Sequence, residues 1–176
     1  MTESAPPVGY RPPTWVRQAL VNPVARFLVL RGLAGGRDTQ NRMAVLRVPG
    51  RKSGRLYDVP VRIAVRDGAR YVVSLTGETE WARNLRAAAG GSLVGRDRTE
   101  AVTATELGAD EKLHFLRWYC TVRAHRLSAR AGLRVDPRRP SADDLARAVR
   151  EHPVFRLVTA ETPAGTDATT DTQRTS

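Results

Sequence analysis

Six consecutive residues, Gly50-Arg51-Lys52-Ser53-Gly54-Arg55, put three cations and a hydroxyl on one short loop punctuated by two glycines. Glycine lets the backbone turn sharply and come close to a ligand. Guanidinium, ammonium and hydroxyl donors gathered on such a turn suit a phosphate or carboxylate better than they suit a core. An exposed basic turn has the same composition, so the loop taken alone supports both readings. Other residue types that bear chemistry are sparse. His114, His125 and His152 stand 11 and 27 residues apart, which matches no zinc-ligand spacing, and no metal site is expected. The lone Cys120 excludes an internal disulfide framework and fits a reducing compartment.

The loop needs rigid elements on both sides, and the flanking sequence provides them. Met43–Val48 reads as a strand entering it. After it, Val59, Val61, Ile63 and Val65 alternate with Pro60, Arg62, Ala64 and Arg66, a period of two with one apolar face. Asp67-Gly68 is a two-residue hairpin signal, and Tyr71–Leu75 returns as the partner strand before Thr76-Gly77. Glu78 to Ala89 reads as a helix with Trp81 and Leu85 on one face, stopped by Gly90-Gly91. Ser92–Gly95 and Thr99–Leu107 form a second hairpin around Arg96-Asp97-Arg98. Residues 109–119 form an amphipathic helix with Leu113, Leu116 and Tyr119 in its stripe. Ser141, followed by Asp143 and Asp144, caps a helix running to about Glu151, and Val154–Val158 is a last strand. The run 120–140, with many arginines, Gly132, Pro137 and Pro140, gives no clear pattern.

Hairpins dominate this order, so the expected fold is α+β, a mainly antiparallel barrel flanked by helices. A doubly wound parallel sheet is excluded because its strands would be apolar on both faces. The 176 residues suffice for one domain over 14–159, with a polar, proline-rich stretch 1–13 and a threonine- and aspartate-rich tail 160–176 that are expected to be disordered. Residues 14–33 read as an amphipathic helix capped by Thr14 and interrupted by Pro23, with Arg17, Arg26 and Arg31 off its apolar stripe. Such a helix packs on its own domain or lies on a membrane surface, and both readings stay open. No signal-type apolar core precedes it, so the expected location is cytoplasmic, with peripheral contact at the inner face of the membrane as the variant.

The formal net charge is +11. It is unevenly spread: residues 1–70 carry 13 Arg and Lys against 4 acidic residues, whereas residues 71–176 carry 16 against 14. The excess surrounds the glycine loop. Charge of this sign suits nucleic acid, an anionic membrane or a polyanionic small molecule.

Gly50–Arg55, Val59-Pro60-Val61, Asp67-Gly68, Trp81-Ala82-Arg83-Asn84-Leu85-Arg86 and His152-Pro153-Val154-Phe155 occur in an order and spacing that resembles the deazaflavin (F-420)-dependent nitroreductase family. These are split β-barrel proteins related to FMN-binding oxidoreductases. The resemblance covers residues 15–107 and the final strand. It implies hydride transfer from a reduced 8-hydroxy-5-deazaflavin to a quinone, a nitro compound or an activated alkene. This cofactor carries a phosphodiester and a glutamate tail. On the resemblance, Gly50, Arg51, Lys52, Ser53, Gly54 and Arg55 hold those anionic groups. Pro60 is a further cofactor-binding residue on the resemblance, the backbone of Ser74, Leu75, Thr76 and Gly77 approaches the ring, and Trp81 and Asn84 border the cofactor. Read as packing groups instead, Trp81 and Leu85 are i, i+4 neighbours in a core stripe and Asn84 caps local backbone.

Catalysis on this reading asks little of side chains beyond positioning. The family sometimes has a tyrosine proton donor toward its C-terminal part, and Tyr119 is the candidate here. Pro49, where a threonine is usual, Ala82, where an aromatic is common, and the arginines 123, 126, 130 and 134 depart from the family pattern. FMN is the alternative cofactor, either in turnover or in a non-catalytic binding barrel. A nucleic-acid module is disfavoured because the arginines are not interleaved with stacking aromatics. Split barrels of this type are often homodimers, which is an expectation from the resemblance alone.

Overall fold

A computed structural model of the chain describes residues 41–94, 99–122 and 132–160. The expected helix over 14–33, the turn at Arg96-Asp97-Arg98, the arginines from 123 to 130 and both expected tails lie outside the described residues, save Ala160 at the start of the second tail. Six antiparallel strands close into a barrel: β1 (Asn41–Pro49), β2 (Leu56–Arg66), β3 (Ala69–Val73), β4 (Gly90–Val94), β5 (Thr99–Glu106) and β6 (Val154–Thr159). Their order around the barrel is β1-β2-β3-β6-β5-β4, and β4 returns to β1 through Val45, Leu46 and Arg47. The last strand therefore lies between β3 and β5. The mainly antiparallel barrel expected from hairpin signals is the fold observed.

Period-two alternation fills the barrel interior with Leu46, Val48, Val59, Val61, Ile63, Val72, Leu93, Val102, Ala104, Phe155 and Leu157. Helix α1 (Glu80–Ala88) adds Ala82 and Leu85 to the same cluster. The opposite face of β2 and β3 is not simply wet. Ala64, Tyr71 and Val73 lie under α2 (Ala109–Thr121) and α3 (Ala142–Glu151) in a second cluster with Phe115, Leu116, Tyr119, Leu133 and Leu145. Consecutive residues Val154 and Phe155 divide between the two cores, as a strand's alternating side chains must. Sequence alternation revealed the inner core, while the outer one depends on where the helices dock.

Turn chemistry follows expectation in most places. Asp67 and Gly68 both take positive φ, 51° and 76°, which gives the primed turn that matches the twist of a hairpin. Thr79 caps α1 by accepting from the Ala82 N–H, and Ser141 caps α3 by accepting from the Asp144 N–H. The stop of α1 differs from the expected one. Ala89 takes the left-handed conformation (φ 50°), and Gly90-Gly91 open β4 instead. A Cβ on Gly90 would lie 2.6 Å from the Val102 carbonyl oxygen, and one on Gly91 would lie 2.5 Å from that of Arg47. These glycines serve close strand approach. None of the described helices is long and apolar enough to cross a membrane.

Candidate functional site

Strands β1 and β2 pair from Asn41–Ala64 up to Pro49–Leu56, so residues 50–55 are the loop of a long hairpin. Two backbone hydrogen bonds shape it: the Gly50 N–H donates to the Arg55 carbonyl and the Gly54 N–H to the Gly50 carbonyl, each at 2.8 Å. Gly54 has φ 66° and open space around it, so its glycine serves the turn. Gly50 serves packing: a Cβ there would lie 2.6 Å from the Tyr57 ring. Its lack of a side chain lets Tyr57 rest on the loop.

The loop closes over α1 through Arg51. Its backbone N–H and its Nη1 both donate to Asn84 Oδ1, at 3.2 and 3.1 Å, and Nη1 also meets Glu80 Oε2 at 2.6 Å. Asn84 is buried, so its oxygen is a fixed anchor for the loop. The expectation that Asn84 caps local backbone is corrected: it binds backbone 33 residues away. The Arg51 hydrogen bond, ahead of the charges of Arg51 and Arg83, holds the Glu80 carboxyl below the usual carboxylate range.

The result is a cleft of about 470 Å³ lined by Gly50, Arg51, Lys52, Ser53, Tyr57, Asp58, Val59, Glu80, Trp81 and Asn84. This lies within the usual range for small-molecule sites, about 300–1,000 Å³. Six of the thirteen expected cofactor residues meet here. Trp81 packs on the inner core, 6.2 Å ring to ring from Phe155, as its packing reading expects, and it also walls the cleft. Tyr57, Asp58, Val59 and Glu80 were not among the expected site residues. Hairpin register could have found Tyr57, Asp58 and Val59, since residues just beyond a binding loop share its end of the sheet. Asp58 is paired on its strand partner Arg47, with Nε to Oδ1 at 2.7 Å and Nη2 to Oδ2 at 3.0 Å.

The loop's remaining donors are unspent. Among the described residues, the backbone N–H groups of Lys52 and Ser53 reach no acceptor, and neither the Lys52 ammonium nor the Arg55 guanidinium makes an ion pair. Both side chains are exposed. Ser53 Oγ accepts from the Arg55 N–H at 3.4 Å, which leaves its own hydroxyl proton free to donate. Successive N–H groups beside an ammonium and a hydroxyl are the donor types from which anion sites are built.

The other expected residues stand elsewhere. Gly54 and Arg55 belong to the loop but do not line the cleft. Pro60 lies in β2 opposite Val45, where β2 pairs with β1 alone because β3 joins only from Ile63 onward, the kind of one-sided stretch in which a strand tolerates proline. Ser74–Gly77 join β3 to α1 and do not line the cleft. The Ser74 N–H donates to the Pro153 carbonyl, and the Ser74 carbonyl accepts from Gly77 N–H and, at 2.9 Å, from His152 Nδ1. A carbonyl only accepts, so Nδ1 carries the proton. Ser74 Oγ donates to the Gly77 carbonyl at 2.6 Å and lies 3.0 Å from Thr79 Oγ1. A Cβ on Gly132 would fall 2.4 Å from the Leu75 carbonyl oxygen, so that carbonyl is covered as well. Gly77 has φ 83°, and this accounts for its glycine without a ligand. Tyr119 is buried in the outer core beside Phe115, 5.7 Å ring to ring, and does not reach the cleft. The candidate proton donor is thus a packing residue, placed by the helix stripe that also drew attention to it.

A sequence profile of the F420H(2)-dependent quinone reductase family matches residues 15–131. Among solved structures, an F420-H2 dependent reductase (FDR-A) shares 23% identity with a TM-score of 0.47, covering 66% of this chain and 93% of its own. A protein of unknown function from Agrobacterium tumefaciens also shares 23% identity with a TM-score of 0.47, covering 88% of this chain and 59% of its own. Among curated proteins none matches.

Proposed function

The chain belongs to the F420H(2)-dependent quinone reductase family and is a deazaflavin-dependent oxidoreductase; from that premise we propose that its acceptor is a quinone and that the cleft beside loop 50–55 is where the cofactor is held. When bound, the reduced deazaflavin supplies the hydride. The carrying observation is the unspent donor set of Lys52 and Ser53 at the mouth of a cleft walled by Tyr57, Val59 and Trp81.

The residues present fit such a cofactor at both ends. Lys52, the Ser53 hydroxyl and two free backbone N–H groups match a phosphodiester, and Arg55 beside them is available to tail carboxylates. Tyr57 and Trp81 offer flat apolar surface for a ring system and for a quinone laid against it. Asn84 and Arg51 hold the loop in place, so donors are oriented before anything binds. With Tyr119 in the outer core, the proton for the reduced acceptor comes from solvent at the open cleft.

The test is a fluorescence titration with the oxidised deazaflavin and, separately, with FMN, followed by turnover of the reduced form with quinone and nitro acceptors. Saturable deazaflavin binding at micromolar level or tighter, weaker FMN binding and faster oxidation by quinones are expected. Preference for FMN would overturn the cofactor site, and preference for nitro acceptors would overturn the substrate.

A further inference from the structure

Among the described residues, Arg51 is the one loop cation engaged by an anion. Its partner Glu80 comes from the first turn of α1 and lines the same cleft. Glu80 divides its two oxygens, with Oε2 on Arg51 at 2.6 Å and Oε1 on Arg83 at 2.7 Å. Arg83 lies outside the cleft and also approaches Glu78 Oε1 at 3.6 Å. We propose that Glu80 is an internal stand-in for an anionic ligand group: an incoming phosphate or carboxylate takes Arg51 from Glu80, which swings back onto Arg83. This rests on the cofactor reading of the cleft and adds a residue that sets its affinity for anions.

Three features make the exchange cheap. The Glu80 side chain is 58% exposed, so water solvates whatever charge the exchange leaves. Exposed pairs of this kind contribute little, so a ligand with more than one anionic oxygen outcompetes the carboxylate. Arg83 keeps Glu80 from becoming an unpaired charge beside the bound anion. Asn84 meanwhile holds Arg51 through a neutral oxygen that no anion displaces, so the guanidinium stays aimed into the cleft after Glu80 leaves. A strap that merely tied the loop to α1 would need Glu80 to remain.

The full-length protein and its E80Q, R83Q and E80Q/R83Q variants should be titrated with inorganic pyrophosphate alone and then with the oxidised deazaflavin, with thermal melts as a check on folding. E80Q should bind pyrophosphate about 2- to 5-fold more tightly, the range expected when one exposed competing pair is removed. R83Q should bind it more weakly, because Glu80 then has Arg51 alone. In the double variant the R83Q effect should vanish. Weaker or unchanged binding by E80Q would overturn the exchange, since a strap predicts loosening. An R83Q effect of the same size in both backgrounds would also overturn it, because long-range charge alone would then explain the loss. Tighter pyrophosphate binding by E80Q without any deazaflavin binding would support the exchange while defeating the cofactor reading. Binding of neither ligand by any variant would defeat both.

Discussion

Two polar turns in this molecule look alike in sequence and differ in what they have left to offer. Loop 50–55 carries two glycines and a hydroxyl, the Ser74–Thr79 junction carries one glycine and three hydroxyls, and both lie beside the start of α1. At the junction every donor and acceptor of Ser74 is used internally, by Pro153, His152, Gly77 and Thr79. At the loop, only the backbone needed for the turn and the Arg51 anchor are satisfied. Among the described residues, the N–H groups of Lys52 and Ser53 and the Lys52 ammonium meet no acceptor, and both residues are exposed. Ser74 consumes its hydrogen-bonding capacity in holding elements together, whereas Lys52 and Ser53 keep some of theirs in reserve. Ligand affinity should therefore follow the loop, and stability should follow the junction.

Charge reversal in the loop is the strongest way to break this contrast. K52E/R55E should weaken deazaflavin binding by about 100-fold or more, since each charge-assisted contact is worth about 1.5–3 kcal/mol. Its melting temperature should stay near that of the wild type, because neither side chain makes an ion pair among the described residues. Equal losses of affinity and stability would erase the distinction.

The reciprocal change is S74A. It strips the Gly77 carbonyl and the Thr79 hydroxyl of a partner at a site only 1% exposed. The expected cost is about 1–3 kcal/mol, seen as a fall of several degrees in melting temperature. Deazaflavin affinity below the transition should change by less than about twofold, an error-level shift on the scale where tenfold is about 1.4 kcal/mol. Loss of affinity with the fold intact would return Ser74 to the site.

The smallest effect tests the ion pairs that tie α1 to both regions. Glu78 pairs with Arg86, which also meets Glu106, and Lys112 reaches Glu106 from α2. Hydrogen bonds from Arg86 and Arg51, respectively, lower the folded-state pKa of Glu78 and Glu80 from their ordinary value of 4.5. A carboxyl depressed by folding contributes stability that is present above that value and lost as pH falls through its lower folded value. The difference in melting temperature between wild type and E78Q/E80Q should thus be present above pH 4.5 and close in more acid buffer. Because these groups are well exposed, it should be worth less than about 1 kcal/mol. A difference that grows on acidification would contradict the pairing.

The barrel was legible in the sequence because its signals are local: alternation in β2, Asp67-Gly68 in the hairpin, and Ser141 at the cap of α3. The loop was legible for the same reason. The rest depended on long-range partners that spacing does not encode. Asn84 was visible as a polar residue near Trp81, but its partner Arg51 is brought in by α1 packing across the end of the β1–β2 hairpin. Glu80 drew no attention in the sequence, since nothing local says that a loop cation meets it. Ser74–Gly77 stands outside the cleft because glycine and hydroxyls also serve a helix cap, and the partners of Ser74, the Pro153 carbonyl as acceptor and His152 Nδ1 as donor, come from the far end of the chain. Tyr119 misled because an amphipathic stripe places aromatics in a core as readily as in a site.

The central claim is that the reserve of donors in loop 50–55 is what the cofactor uses. A crystal structure of the protein with the oxidised deazaflavin tests it most directly. The phosphodiester should lie within about 3 Å of Lys52 Nζ and Ser53 Oγ, with the ring between Tyr57 and Trp81. A phosphodiester seated on the Ser74–Gly77 turn, with Lys52 and Ser53 still facing solvent, would contradict it.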